Sequence, residues 1–240
     1  MNLLLVEERE LAGDRCVVAD RRAAHLREVL NVSPGSTVKM GVLGGAVGSG
    51  EVLSDTAAGI ELRFVRTGDA PTQLELELVL AVPRPKVLAR VIEACAAFGV
   101  ARIDLTNAWR VDKSYLRSPK LAVDSLAQSA RLGAEQGGTT RVPEIVVHER
   151  LMELLDTRFA QPGRGRLIAH PGAKVMENVV RAGRAVLAIG PEGGWIQREV
   201  DTFVERGFAA CSIGSPILRV ESAVSAALGQ WMMLQRLAER

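Results

Sequence analysis

Short apolar runs broken by glycine-rich turns fill the first part of the chain, and beyond them such runs alternate with stretches of helical period. The early runs, at 15–19, 37–42, 50–53 and 60–65, read as strands, with one helical piece at 21–30 between them. Gly41, Gly44, Gly45, Gly48 and Gly50 cluster in the middle of this region. Repeated short strands joined by such turns predict a small barrel or sandwich. Asp69-Ala70-Pro71-Thr72 reads as a linker, so the pattern divides the chain into domains at 1–70 and 71–240.

Past the linker, strands are expected at 74–82, 102–105, 165–169, 185–189 and 209–213. Helices are expected at 85–98, ending at Gly99, and at 119–133, 197–206 and 221–238. Alternation of this kind predicts an α/β domain with a parallel sheet and crossover helices. The last helix sets Val224, Ala227, Leu228, Trp231 and Leu234 along one stripe, the mark of a core-facing side. Trp231, Met232 and Met233 extend its apolar surface, which fits either a core position or a dimer seam.

Composition agrees with a full-sized core: 48% of the 240 residues are hydrophobic. Cys16, Cys95 and Cys211 are few, odd in number and far apart, which fits neither a disulfide framework nor a zinc site. A reducing cytoplasm is the expected setting. The apolar start at 1–6 is too short for a signal peptide, and no uninterrupted apolar stretch approaches the ~20 residues that span a bilayer, so a soluble protein is expected.

The formal charge of +2 says little, but its distribution says more. Up to Ala70 there are eight basic and ten acidic residues; from Arg84 to Lys120 there are eight basic against three acidic. A basic stretch attracts phosphate backbones, and it also serves as an ordinary solvated helix face.

Two apolar strands stop at glycine and deliver tight loops, Gly190-Pro191-Glu192-Gly193-Gly194 and Gly214 to Glu221. In open α/β sheets, ligands bind beyond the carboxyl ends of strands, and glycine lets backbone approach them closely. The first loop is no phosphate loop, since no Lys-Ser or Lys-Thr pair follows, nor does its glycine spacing match the dinucleotide motif. A plain turn before the helix at 197 is the alternative. In the second loop Arg219 and Glu221 stand where the final helix starts, and either serve chemistry or pair with each other. A third strand end, Leu167-Ile168-Ala169-His170-Pro171, carries a histidine of the kind that is more often a structural hydrogen-bonding residue.

Taken together, 189–194, 213–223 and 167–171 resemble the three ligand loops of the ribosomal RNA small subunit methyltransferase E family, in the SPOUT class of S-adenosylmethionine enzymes. The resemblance extends to Glu135-Gln136-Gly137-Gly138 with Arg141-Val142-Pro143-Glu144-Ile145, to Arg110 and Lys113, and to His25-Leu26 with Val29-Leu30. It implies an N-terminal PUA-like β-barrel that binds RNA and a C-terminal parallel-sheet domain closed by a trefoil knot. It further implies a homodimer that uses S-adenosylmethionine, without a metal, to methylate N3 of one uridine in 16S ribosomal RNA.

On that resemblance the cofactor is expected among Leu167, His170, Pro171, Ile189, Gly190, Glu192, Gly193, Gly194, Ile213, Gly214, Ile217 and Leu218. Arg219 is the expected cation beside the uracil, and Glu221 orients it or moves the proton. RNA is expected at His25, Arg27, Arg84, Lys86, Arg110 and Lys113. Pro216 and Asn31 stand where the family usually has arginine, and Ser222 where it has threonine. The competing reading is a non-catalytic RNA-binding protein of ribosome assembly, which predicts salt-dependent RNA affinity without affinity for the cofactor. A nucleotide hydrolase ranks last, because the chain has neither a phosphate loop nor a metal-ligand cluster.

Overall fold

The fold is described from a computed structural model that covers residues 2–161, 163, 165–179 and 183–239. The N-terminal strands β1 (Leu4–Val6), β2 (Arg15–Val18), β3 (Thr37–Val42), β4 (Val47–Thr56) and β5 (Gly59–Gly68) form one sheet in the order β1-β3-β4-β5-β2. All its pairings are antiparallel except β1 with β3. Alternation buries Cys16 and Val18 of β2 and Ile60 and Leu62 of β5, which close on Leu26 of α1 (Arg21–Glu28). Asp20 caps α1 by accepting from the Arg22 N–H at 2.8 Å. Beyond the helix, Asn31 takes a left-handed φ of 50°, a conformation that asparagine tolerates better than arginine. That gives a local reason for its presence at this departure from the family pattern.

The second sheet is parallel throughout, in the order β11-β9-β10-β6-β7-β8. Its strands are β6 (Leu74–Ala81), β7 (Val100–Thr106), β8 (Glu144–His148), β9 (Arg166–Ala169), β10 (Ala185–Ile189) and β11 (Ala209–Cys211). β6 is apolar over its second half because it is covered on both faces. β8, and the α4 helix (Leu151–Arg158) after it, were not predicted, since mixed polarity in 144–148 hides a half-exposed edge strand.

Helix α2 (Pro85–Ala97) starts with proline at its first turn and ends before Gly99 at φ 78°, a left-handed stop. Its buried stripe of Leu88, Val91, Ile92, Cys95 and Ala96 faces the sheet. α3 (Val123–Gly137) lies so close to α2 that a Cβ on Gly133 or Gly137 would sit 2.1 Å from the Glu93 carbonyl or 2.5 Å from that of Ala97. A short 3-10 turn at Pro119–Leu121 precedes α3, so the helix expected from 119 starts later and runs further. α5 (Gln197–Glu205) and α6 (Val220–Ala238) complete the unit, and α6 buries Val224, Ala227, Leu228 and Trp231 as its stripe predicted.

The two sheets are tied at the C-terminal end of α3. Buried Glu135 accepts from Arg21 at 2.8 and 2.9 Å, and its carbonyl takes the N–H groups of Asn2 and Leu3, both at 3.0 Å. Arg131 donates to the Leu5 carbonyl at 2.7 Å and to Glu7 at 3.2 Å, while Thr140 donates to the Gly45 carbonyl at 2.7 Å. Leu3, Leu5 and Ala134 form the apolar centre of this junction. The Glu135-Gln136-Gly137-Gly138 motif therefore stands at the joint between the two sheets.

Candidate active site at the strand ends

β9, β10 and β11 lie side by side and parallel, so their carboxyl ends release three chain segments at one edge of the sheet. These segments enclose a cavity of about 420 Å³, a volume ordinary for a small-molecule site. His170 and Pro171 come from the first loop, 189–194 from the second and Ile213, Gly214, Ile217 and Leu218 from the third. Eleven of the twelve residues expected to hold a cofactor line this one cavity. The exception is Leu167, which is 1% exposed and sits in mid-sheet, paired with Leu187 on one side and Ala209 on the other. Its position three residues before the loop buries it in the core, below the cavity.

Fixed hydrogen bonds hold the loops. The His170 N–H donates to the Cys211 carbonyl at 2.9 Å, and the Gly194 N–H closes a turn on the Pro191 carbonyl at 2.8 Å. Gly194 has φ 71°, a backbone state that requires glycine here. In the third loop the Ser212 hydroxyl donates to the Gly214 carbonyl at 3.0 Å and accepts its N–H at 3.2 Å, and Gln230 of α6 donates to the Ile213 carbonyl. Beneath it, burial pushes the Cys211 thiol up to about 12, which leaves it protonated and inert at neutral pH.

Several wall residues carried no assignment from sequence. Trp195, 7% exposed, backs Gly190 so closely that a Cβ there would lie 3.1 Å from the Trp195 backbone nitrogen. An aromatic residue directly after a Gly-Gly pair was the available signal for it. Pro216 lines the cavity too, so the departure from the family's arginine falls on its wall. Arg110, expected on RNA, also lines the cavity and donates to the Gly193 carbonyl. Arg84, likewise expected on RNA, meets the same loop: its N–H donates to Glu192 at 3.1 Å and its guanidinium lies 3.6 Å from that carboxylate. Glu199 at the start of α5 joins this group, accepting the Trp109 N–H at 2.8 Å and the Ile196 N–H at 3.0 Å.

Arg219 caps α6 and is exposed, between Leu218 and Val220, both of which line the cavity. Among the described residues it forms no ion pair with Glu221, which stands in the first turn of α6. Lys86 and Lys113 are exposed on the same domain. His25 and Arg27 belong elsewhere: both are on α1, and His25 lies in a cleft with Glu93 and Glu135 that shares no lining residue with the cavity. Arg27 is neutralised by Asp55 at 2.6 Å and donates to the Thr56 carbonyl at 2.9 Å.

Residues 70–232 match the family model described as the RNA methyltransferase domain. The chain belongs to that family. Among curated relatives of this RNA methyltransferase is the ribosomal RNA small subunit methyltransferase E of Treponema pallidum, 28% identical over 95% of this chain and 89% of its own. A Borreliella burgdorferi protein, ribosomal RNA small subunit methyltransferase E 1, is 26% identical over 95% of each chain. Among solved structures, the ribosomal RNA small subunit methyltransferase E of Neisseria gonorrhoeae bound to S-adenosyl methionine superposes with a TM-score of 0.79, at 21% identity over 98% of both chains. A probable rRNA-methyltransferase from Porphyromonas gingivalis gives 0.74 at 23% identity over the full length of both. The resemblance drawn from the loop motifs is thus to the family that the chain matches.

Proposed function

We propose that this RNA methyltransferase uses S-adenosylmethionine to methylate N3 of a uridine in 16S ribosomal RNA. The observation that carries the reading is the convergence of three loops from adjacent parallel strands on one cavity, inside a region that matches the RNA methyltransferase domain. The names of its relatives supply the ribosomal RNA of the small subunit. Family membership favours this reading over a non-catalytic RNA-binding role. The same reading includes a PUA-like barrel built on the N-terminal sheet, a domain division near 70, a trefoil knot in the C-terminal region, a homodimer and a cytoplasmic setting.

The cavity suits the cofactor by its chemistry. Ile189, Ile213, Leu218 and Trp195 offer an apolar slot for an adenine ring, and the glycines bring backbone donors and acceptors within reach of its edge. Gly214 opens the wall, since a Cβ there would meet only the Pro216 ring, at 3.7 Å. S-adenosylmethionine supplies an electrophilic methyl group when bound.

The remaining chemistry belongs to the protein. Uridine N3 carries a proton at neutral pH, so its lone pair becomes available only as that proton leaves. Arg219 stabilises the anionic uracil that results, and Glu221 takes the proton or orients the guanidinium. Rigid loops that hold N3 in line with the methyl carbon lower the barrier by proximity. The loops at 170–171, 189–194 and 213–218 would hold S-adenosylmethionine, which would supply the methyl group to N3 and keep the electron pair of its carbon–sulfur bond on sulfur.

The test is transfer of labelled methyl from S-adenosylmethionine to small-subunit RNA of a strain lacking this enzyme, followed by nucleoside mapping. Label at uridine N3 supports the proposal. A folded protein that binds S-adenosylmethionine and transfers nothing overturns it.

A further inference from the structure

We infer that Trp109 is a stacking platform for an unpaired RNA base beside the methyl-transfer cavity. Of the three tryptophans, Trp195 and Trp231 are 7% and 0% exposed, whereas Trp109 is 79% exposed. Exposing an indole to water carries a hydration penalty, and exposed aromatics among cations are how proteins hold single-stranded nucleic acid without reading its sequence. Trp109 stands on a pinned turn, not on a loose loop. Ala108 and Val111 on either side are each 7% exposed, and the Val111 N–H donates to the Ala108 carbonyl at 3.0 Å. The Trp109 N–H itself is bound to Glu199 at 2.8 Å.

The surroundings are cationic. Arg110, the next residue, lines the cavity and binds the Gly193 carbonyl, and Arg84 meets Glu192 in the same loop. Trp109 is therefore the residue next to a cavity-lining arginine, with exposed Lys113 four positions further on. A uracil drawn into the cavity must leave its neighbours unstacked, and an indole face next to the entrance recovers that lost stacking for the adjacent base. The inference rests on the RNA-methylation reading above and adds a residue that positions the RNA strand. Trp109 is a positioning residue, since it holds a neighbour of the reacting base.

Because the other two indoles are buried, iodide-accessible tryptophan fluorescence of the full-length protein reports Trp109. Adding a short uridine-rich single-stranded RNA is expected to quench that fluorescence and to shield it from iodide. Trp109→Ala should weaken binding of this RNA about 5- to 150-fold, the range spanned by aromatic stacking on one base, while Trp109→Phe keeps most of the affinity. In methyl transfer the alanine variant should raise KM for RNA far more than it lowers kcat, with affinity for S-adenosylmethionine and oligomeric state unchanged.

Unaltered RNA affinity and KM in Trp109→Ala overturn the inference. So does loss of the oligomer in that variant, which makes the indole a contact between copies of the chain. Equal damage from alanine and phenylalanine also overturns it, because stacking tolerates either aromatic ring. Wild-type protein that binds S-adenosylmethionine yet never methylates defeats the reading in the preceding section alone, and the quenching experiment still decides Trp109.

Discussion

On the proposed reading, Arg219 and Gly190 separate chemistry from binding at the level of single residues. Arg219 is exposed at the N-cap of α6 and is flanked by two cavity residues, so its removal leaves the apolar slot intact. Arg219→Ala is expected to lower kcat about 10²- to 10³-fold with little change in affinity for S-adenosylmethionine, checked by single-turnover transfer beside calorimetry. Gly190 fails differently. Any side chain there presses on the Trp195 backbone at 3.1 Å, so Gly190→Val should displace the loop and weaken cofactor affinity by about tenfold or more. Gly193 looks equivalent in the sequence, yet its Cβ would meet only the Arg110 side chain at 3.0 Å, which can swing aside. The sequence marks both as glycines in a ligand loop; Gly190 meets backbone of its own loop, whereas Gly193 meets a flexible side chain brought from 83 positions away. The same holds for Arg110, whose charge suggested RNA while its position 83 residues before Gly193 concealed a contact with that loop.

At the scale of elements, the strands and helices with strong apolar period were legible, and those without it were not. β6, β10, α2, α5 and α6 carry continuous runs or stripes because both faces or one whole side are buried. β1, with three residues, and β8, on a half-exposed edge, give too few buried positions for a period to register. Gly133 and Gly137 illustrate what a helix can hide. Inside α3 they read as weak helix formers, whereas against α2 they are the only residues that fit beneath the Glu93 and Ala97 carbonyls. Gly137→Val should cost at least about 1–3 kcal/mol by overpacking, measured by urea unfolding. Gly138→Ala, at a left-handed φ of 73° but in open space, should cost only about 1 kcal/mol in the same assay.

For the whole molecule, ion pairs around α1 and α3 fasten the N-terminal sheet to the methyltransferase domain, and a neighbouring cluster of Arg22 with Glu10 and Asp20 gives stability a direction with pH. Hydrogen bonds from Arg22 hold the Glu10 carboxyl below its ordinary value. Burial pushes the Asp20 carboxyl up, but bonds from Arg22 outweigh it and the net shift is downward. A depressed folded-state pKa stabilises above the unfolded value and is lost as pH falls through the folded one, so this Arg22 cluster within the N-terminal part should hold at neutral pH and weaken below about pH 4. The melting temperature should fall over that acid range, and Arg22→Met should flatten the dependence; an unchanged slope would place the acid-sensitive groups elsewhere. By itself the sequence determined the division into a strand-rich part and an α/β part, the parallel sheet and the three loops, because burial period and glycine placement are local and repeat within each element. Only the tertiary structure decided that Leu167 is buried in the sheet, that Arg84, Arg110 and Glu199 gather around the cavity's loops, that Trp109 stands exposed on the turn held by Glu199, and that the Glu135 motif joins the two sheets. Those contacts link residues from some tens to more than a hundred positions apart, and which distant side chains meet is fixed by strand order and helix packing, quantities that no local pattern encodes.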